Sequence, residues 1–340
     1  MWKGLVSLVF LLAILAMAIG GGGWAWLQSK VSAEGPSLEQ VVYTVERGDT
    51  LVGIAADLEA QGVITDARAM RIKARIDGTS GAIKAGTFEI PAGASIADVL
   101  DLMVEGDVIQ HRVTIPEGLT TAQILRLLEA EPVLTGALPD EPPAEGSLLP
   151  DTYLVDAGTP RSALLERMAA AQDDVLARLW ETRAPAIPIG APEEAVILAS
   201  IVEKETGKAG ERALVAGLFT NRLRRGMRLQ SDPTVIYGVS KGEPLMNARG
   251  QRRTLFRSEL DRETPWNTYQ IDGLPRTPIC NPGRDAIAAV LDPPDTDYIF
   301  FVADGTGGHV FSKTLAEHNR AVADYRRFER AEIARERSGD

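Results

Sequence analysis

Residues Gly4 to Leu27 carry no charge and are dominated by leucine, valine, isoleucine, alanine and glycine. No other stretch limits the possible folds as strongly. The run is long enough to cross the roughly 30 Å hydrocarbon core of a bilayer. Inside a bilayer only a helix or a closed barrel satisfies every backbone polar group, so one such run predicts a helix. Lys3 and the terminal amine precede it, which predicts a cytoplasmic N-terminus and an exported remainder. Trp24 and Trp26 fit the aromatic belt of a membrane surface. The rival reading is a cleaved signal peptide with Ala16-Met17-Ala18 as its cleavage site. The apolar run continues past that site, which favours the anchor. No second run of this length follows, so the expectation is a single span.

Composition narrows what the exported part does. A length of 340 residues allows two or three domains. The net charge of −11 argues against a nucleic-acid partner, and no long basic patch offsets it. The short Arg-rich stretch from Asn221 to Arg228 reads as lining a site or capping a helix. Cys280 is the only cysteine, so no intramolecular disulfide can form. His111, His309 and His318 lack metal-ligand spacing, and no phosphate loop or dinucleotide fingerprint occurs. The expectation is therefore no metal and no cofactor.

Residues 1–27 are assigned to a cytoplasmic tip and anchor, and the polar residues 28–40 to a linker. Val42 to Val45 alternate as a strand, Gly48-Asp49 make a turn, and Thr50 is placed to cap a helix. With the return strand Ile83 to Pro91, residues 41–112 resemble a variant LysM module. The strand–glycine–helix pattern recurs before Ile96 and before Ile124, where Ser95 with Asp98 and Thr120 with Gln123 have capping-box spacing. Glu131 to Glu145 reads as a loop. Residues 113–335 form the larger domain, with helices at Arg161 to Leu179, Pro192 to Thr206, Glu211 to Arg225 and Leu315 to Ile333. A hairpin is predicted from Tyr298-Val302 to His309-Phe311. The fold class is α+β, with mixed α/β structure in this domain.

One carboxylate stands out. Proline opens the helix from Pro192 and Gly207 closes it. At 100° per residue Leu198, Ile201 and Val202 share one face, and Glu205 falls in the middle of it. Burial and the negative helix end both disfavour an ionised Glu205, which suits it to donate a proton near neutral pH. A carboxylate paired with a buried arginine fits the same pattern. Glu203 points away and reads as a surface or ion-pair residue.

The remaining motifs follow in a fixed order: Leu198 to Thr206, Asn221-Arg222-Leu223, Met227 to Gly238, Asn267-Thr268-Tyr269, Gly273-Leu274-Pro275, Asn281-Pro282-Gly283, Tyr298 to Gly305, Gly308-His309 and His318-Asn319. Together they resemble the endolytic murein transglycosylases of the MltG (YceG-like) family, from the anchor to the last helix. The resemblance implies cleavage between N-acetylmuramic acid and N-acetylglucosamine of peptidoglycan, without water, leaving 1,6-anhydro-muramyl ends. It implies Glu205 as the catalytic acid, in a catalytic domain resembling lytic transglycosylases. Glu205-Thr206 is also similar to the Glu-Ser pair of soluble lytic transglycosylases and goose-type lysozymes. Nascent glycan strands are the implied substrate, the inner membrane with a periplasmic catalytic domain the implied location, and penicillin-binding synthases the implied partners.

Other residues are expected around the cleft. Gln230, Ser231, Asp232 and Thr234 form a polar cluster before an apolar run, although Asp232-Pro233 also suits a turn. Asn267 and Tyr269 are candidates for holding sugar groups, with plain capping the alternative for Asn267. Tyr153 and His309 are further candidates, and a structural hydrogen bond is the alternative for His309. Asp151 is a candidate second carboxylate, which would make the protein a hydrolase. A non-catalytic wall-binding scaffold is the competing class.

Overall fold

A computed structural model describes residues 2–46, 48–106 and 108–338. Met1 and the side chains of Lys3 and Ala16, on which the orientation and cleavage-site expectations rest, lie outside the described residues. The chain divides into two compact units. The first comprises Met1–Arg112, Val133–Thr135 and Leu154–Thr159; the second comprises Val113–Pro132, Gly136–Tyr153 and Pro160–Asp340.

The first unit begins with α1 (Trp2–Val31), of which Phe10–Val31 is long and apolar enough to cross a membrane. Phe10, Met17, Ile19 and Trp24 are each more than half exposed. That apolar surface has no favourable place in water. Gly20 to Gly23 meet no neighbouring group, and each costs a helix in water up to about 1 kcal/mol relative to alanine. The helix runs four residues beyond the expected anchor. Leu27 and Val31 are buried in the core of this unit.

The expected linker is also shorter and docked. Gly35 donates its N–H to Gly93 O at 3.1 Å. A side chain at Gly35 would collide with the carbonyls of Ala94 and Val63.

Next come β1 (Val41–Val45), α2 (Leu51–Ala60), α3 (Ala67–Ile76), β2 (Gly86–Ile90) and α4 (Ile96–Glu105). Strands β1 and β2 pair antiparallel, from Val41 opposite Ile90 to Val45 opposite Gly86. Tyr43, Val45, Phe88 and Ile90 turn inward. They meet Ile54 and Leu58 of α2, Met70 of α3, and Val99, Leu100 and Met103 of α4. Thr50 caps α2 by accepting from Gly53 N at 3.2 Å. Ser95 and Asp98 form the expected capping box.

The chain continues through β3 (Gln110–Thr114), α5 (Thr121–Ala130), β4 (Leu134–Thr135), β5 (Thr152–Asp156) and β6 (Thr159–Pro160). The capping box of α5 pairs Thr120 with Gln123. The segment expected as a loop from Glu131 to Glu145 includes β4, which pairs with β6. Nearby, Gly158 N donates to Val133 O at 2.9 Å.

The second unit is mainly helical. It contains α6 (Arg161–Glu181), α7 (Pro192–Glu205), α8 (Ala209–Arg224), α9 (Asp232–Ser240), α10 (Arg257–Leu260) and α11 (Arg284–Leu291). The hairpin β7 (Phe300–Ala303) and β8 (His309–Ser312) precedes α12 (Leu315–Ser338). Helix α7 packs against α8 and α11. Leu198, Ile201, Val202, Val215, Leu218, Phe219, Ile287 and Val290 interlock there, all fully buried. Each contributes roughly 1.5–3 kcal/mol of burial, so the end of α7 is held rigidly.

Candidate active site

Proline at N1 and acidic Glu193 and Glu194 in the first turn start α7 as helix termini favour. Its end differs from the expected glycine stop. Thr206 turns extended (φ −137°, ψ 127°). Its hydroxyl then accepts from Lys208 N at 3.1 Å, leading the chain into α8. Glu205 is the last helical residue and keeps partial exposure. Protein nevertheless crowds its carboxyl, and its pKa is pushed up to about 7. Desolvation is the largest cause, and the negative charge of Asp232 adds to it. Ser231 and the positive charge of Arg222 act the other way.

Arg222 comes from α8 and is buried. Its Nε donates to Ile299 O at 2.7 Å and its Nη1 to Leu229 O at 2.6 Å. Its guanidinium lies 5.8 Å from the centre of the Phe300 ring. Such carbonyl contacts offset part of the cost of burying a cation. Asn221 beside it donates to Thr296 O at 2.6 Å and Tyr298 O at 3.1 Å. The Arg-rich stretch thus joins α8 to the segment entering β7. Only Arg222 of that stretch is a buried charge beside Glu205.

The loop before α9 supplies the facing groups. Gln230 adopts φ +53°, a left-handed conformation rare for a residue with a side chain. Strain of this kind costs on the order of 1–3 kcal/mol and is held only by its surroundings. Here Gln230 N donates to Thr268 O at 3.1 Å, and Ser231 N donates to Thr268 Oγ1 at 2.9 Å. The twist brings Ser231 to Glu205. The buried Ser231 hydroxyl favours the ionised form of the Glu205 carboxyl, although no hydrogen bond of full geometry joins it to a described residue. Asp232 begins α9 and accepts from the Tyr269 hydroxyl at 2.8 Å. Burial, then Asp232, pushes the Tyr269 hydroxyl well above its ordinary pKa.

Glu205, Ser231, Asp232, Tyr269 and Arg222 therefore form one electrostatic group. Lys204 and Pro233, the sequence neighbours of Glu205 and Asp232, line a groove of about 410 Å³ with Ile236, Tyr237 and Arg253; the five groups themselves are not in its lining.

The other candidates occupy different places. Gln230 has an exposed side chain. Thr234 is fully buried and bonds Ser231 O at 2.6 Å and Thr268 Oγ1 at 2.8 Å, so it braces the loop. Asn267 is fully buried. Its amide donates to Leu260 O and Arg262 O while its Oδ1 accepts from Tyr269 N, the capping alternative. Tyr153 is buried, and its hydroxyl donates to Leu149 O at 2.8 Å. Asp151 is exposed, accepts from Thr152 N at 2.6 Å, and is not among the charges acting on Glu205. His309 Nδ1 lies 2.8 Å from Glu211 Oε2. It therefore clasps the start of α8, six residues after Glu205 in sequence, in the structural bond expected as the alternative.

Glu203 is an ion-pair residue but not a surface one. Its Oε1 lies 3.7 Å from Arg212, and its Oε2 accepts from Gly283 N at 3.1 Å.

The YceG-like family pattern matches residues 43–324 of this sequence. The chain belongs to the YceG-like family. A protein of Bacillus subtilis (strain 168) named endolytic murein transglycosylase is 27% identical over 337 residues, covering 90% of this chain and 90% of its own. One of the same name from Streptococcus pneumoniae serotype 2 is 27% identical over 363 residues, covering 92% of this chain and 64% of its own. A crystal structure of a YceG-like protein from Listeria monocytogenes is 26% identical, with a TM-score of 0.48, covering 84% of this chain and 99% of that one.

Two roles in this YceG-like chain are not legible in its motifs. Arg222 belongs to the Asn221-Arg222-Leu223 motif and to a basic stretch, but neither shows that its charge acts on Glu205. Glu145, expected in a loop, is a partly buried hub. It accepts from Thr121 N at 2.7 Å, Asn281 Nδ2 at 3.2 Å and the Tyr237 hydroxyl at 3.0 Å. Desolvation raises its pKa despite these donors. The Thr121 position directly after a capping residue was the one signal in the sequence, and it pointed only to a helix start.

Proposed function

We propose that this protein is a membrane-anchored endolytic lytic transglycosylase of peptidoglycan, with Glu205 as its single general acid and base. The observation that carries the reading is a carboxyl poised near pH 7 at the end of α7, set among Ser231, Asp232 and Arg222. A pKa near the working pH suits a group that must both give and take a proton. In the first step Glu205 protonates the glycosidic oxygen as the C1–O bond of the muramyl residue breaks. In the second, the muramyl 6-hydroxyl attacks C1 and its proton returns to the Glu205 carboxylate. The attack is intramolecular and gains the high effective concentration of a tethered nucleophile. Ser231 and Tyr269 are placed to position the acid and the sugar.

The family names of the relatives, together with the order of motifs, support murein as the substrate class. The strand–helix–helix–strand order of β1, α2, α3 and β2 supports the LysM-like reading of the first unit. The apolar exposure of α1 supports an inner-membrane anchor with the N-terminus in the cytoplasm and the catalytic unit in the periplasm. Contact with penicillin-binding synthases belongs to the same proposal and is checked by co-purification from detergent-solubilised membranes.

A second reading is a hydrolase using water and another carboxylate. Asp232, rather than Asp151, is the acid that acts on Glu205, but the Tyr269 hydroxyl engages it. Digestion of purified sacculi decides between the readings. Anhydro-muropeptides from the wild type and none from Glu205→Gln are expected. Reducing ends in place of anhydro ends would establish the hydrolase. Glycan capture without cleavage by the wild type would establish the scaffold.

A further inference from the structure

Helix α3 carries Arg68, Arg71 and Arg75, spaced so that all three fall within about 60° of one another around the helix. They line a groove of about 430 Å³ in the first unit, together with Leu51, Val52, Ile72 and Ser80. Among the described residues none of the three forms an ion pair, whereas Lys73 on the opposite side of the helix pairs with Asp77. The Nε of Arg71 is buried without a hydrogen-bond partner. A buried donor left unmade is costly, and here it belongs to a permanent cation. Leu51 and Val52 of the wall belong to the first turn of α2, the positive end of that helix dipole, where the Thr50 cap already takes the Gly53 N–H. In a chain of net charge −11 this concentration of donors and positive charge is local.

We infer that the Arg68–Arg71–Arg75 groove holds the phosphate headgroup of an anionic membrane lipid. Three donor-rich guanidinium groups suit phosphate oxygens. Two further observations favour a lipid over a free ion. Leu51, Val52 and Ile72 make the groove half apolar, and Val52 and Ile76 are more than half exposed beside it, as an amphiphile requires. Leu27 and Val31, at the end of α1, are buried in the same core as Met70 and Ala74, and α1 packs directly on α3. The helix that carries the three arginines thus packs directly on the end of the helix leaving the bilayer. This inference rests on the anchor reading of α1. It adds a second attachment that would fix how the first unit sits at the membrane surface.

The test uses the full chain in phosphatidylcholine nanodiscs with and without phosphatidylglycerol. Hydrogen exchange is read at residues 50–53 and 68–75, and retained lipid is counted by native mass spectrometry. Phosphatidylglycerol should slow exchange in both segments. Arg71→Gln with Arg75→Gln should lower its retention about fivefold per arginine, the equivalent of about 1 kcal/mol each near a charged surface. Arg75→Gln alone serves if Arg71→Gln loosens the unit, which exchange at Ile90 and Leu100 reports. Unchanged exchange with phosphatidylglycerol, while Phe10–Val31 stays protected, overturns the headgroup site and leaves the anchor intact. Equal protection by inorganic phosphate in phosphatidylcholine discs, or protection only by soluble muropeptides, also overturns it. Unprotected Phe10–Val31 in both discs overturns the anchor and this inference together.

Discussion

Replacing Glu205 by glutamine should stabilise the second unit at neutral pH and leave it unchanged in acid. The carboxyl is raised from 4.5 to about 7, so it binds its proton more tightly in the folded state than in the unfolded one. Between those two values the folded state holds more protons. Stability therefore falls as pH rises through this window and levels off above about pH 7. A shift of this size corresponds to about 3 kcal/mol at 1.36 kcal/mol per pKa unit. Glutamine lacks the titration, and the difference between the two proteins isolates it. For a unit of this size, each kcal/mol moves Tm by about 2–4 °C, so Glu205→Gln should gain several degrees at pH 8 relative to its effect at pH 4. Any fixed cost of burying the amide shifts both ends equally and drops out of that comparison. Thermal unfolding of the detergent-solubilised chain at pH steps from 4 to 9 supplies the measurement. Parallel profiles for wild type and variant between pH 5 and 8 would refute a buried, neutralised Glu205.

Three further outcomes follow from the same geometry. Asp232→Asn removes the negative charge that raises Glu205, so its pKa should drop and the alkaline fall in anhydro-product formation should move to lower pH. Arg222→Gln removes a charge that lowers Glu205 and breaks the bonds to Ile299 O and Leu229 O. The alkaline fall should move to higher pH, and denaturant unfolding should show a loss of about 2–4 kcal/mol. Thr120→Ala, which deletes one half of the α5 capping box, should cost about 1 kcal/mol in the same unfolding assay with no change in the pH profile.

What the sequence could show divides by the range of the interaction. Capping boxes at Ser95 and Thr120 use residues three apart, so spacing alone exposes them. The face carrying Leu198, Ile201 and Val202 is periodic, so Glu205 is legible as a misplaced acid. Helix α3 is harder, because its buried residues are Ala67, Ala69, Met70 and Ala74, too small to register as an apolar stripe. The segment after Val31 looks like a linker because Gly35 and its polar neighbours resemble one. Only the carbonyls of Val63 and Ala94, brought in by folding, show why glycine stands there. Asn267 looks like a sugar ligand for a similar reason: a buried amide that collects loop carbonyls has the same composition as an exposed one that collects hydroxyls. The pKa of Glu205 is the extreme case. Desolvation and Asp232 push it up, and Ser231 and Arg222 pull it down, from α8 and from the strained loop at Gln230. Each residue is visible in the chain. Their balance depends on how α8 and that loop meet the end of α7, and a balance of opposed terms can leave an acid near neutrality even where no single motif names it.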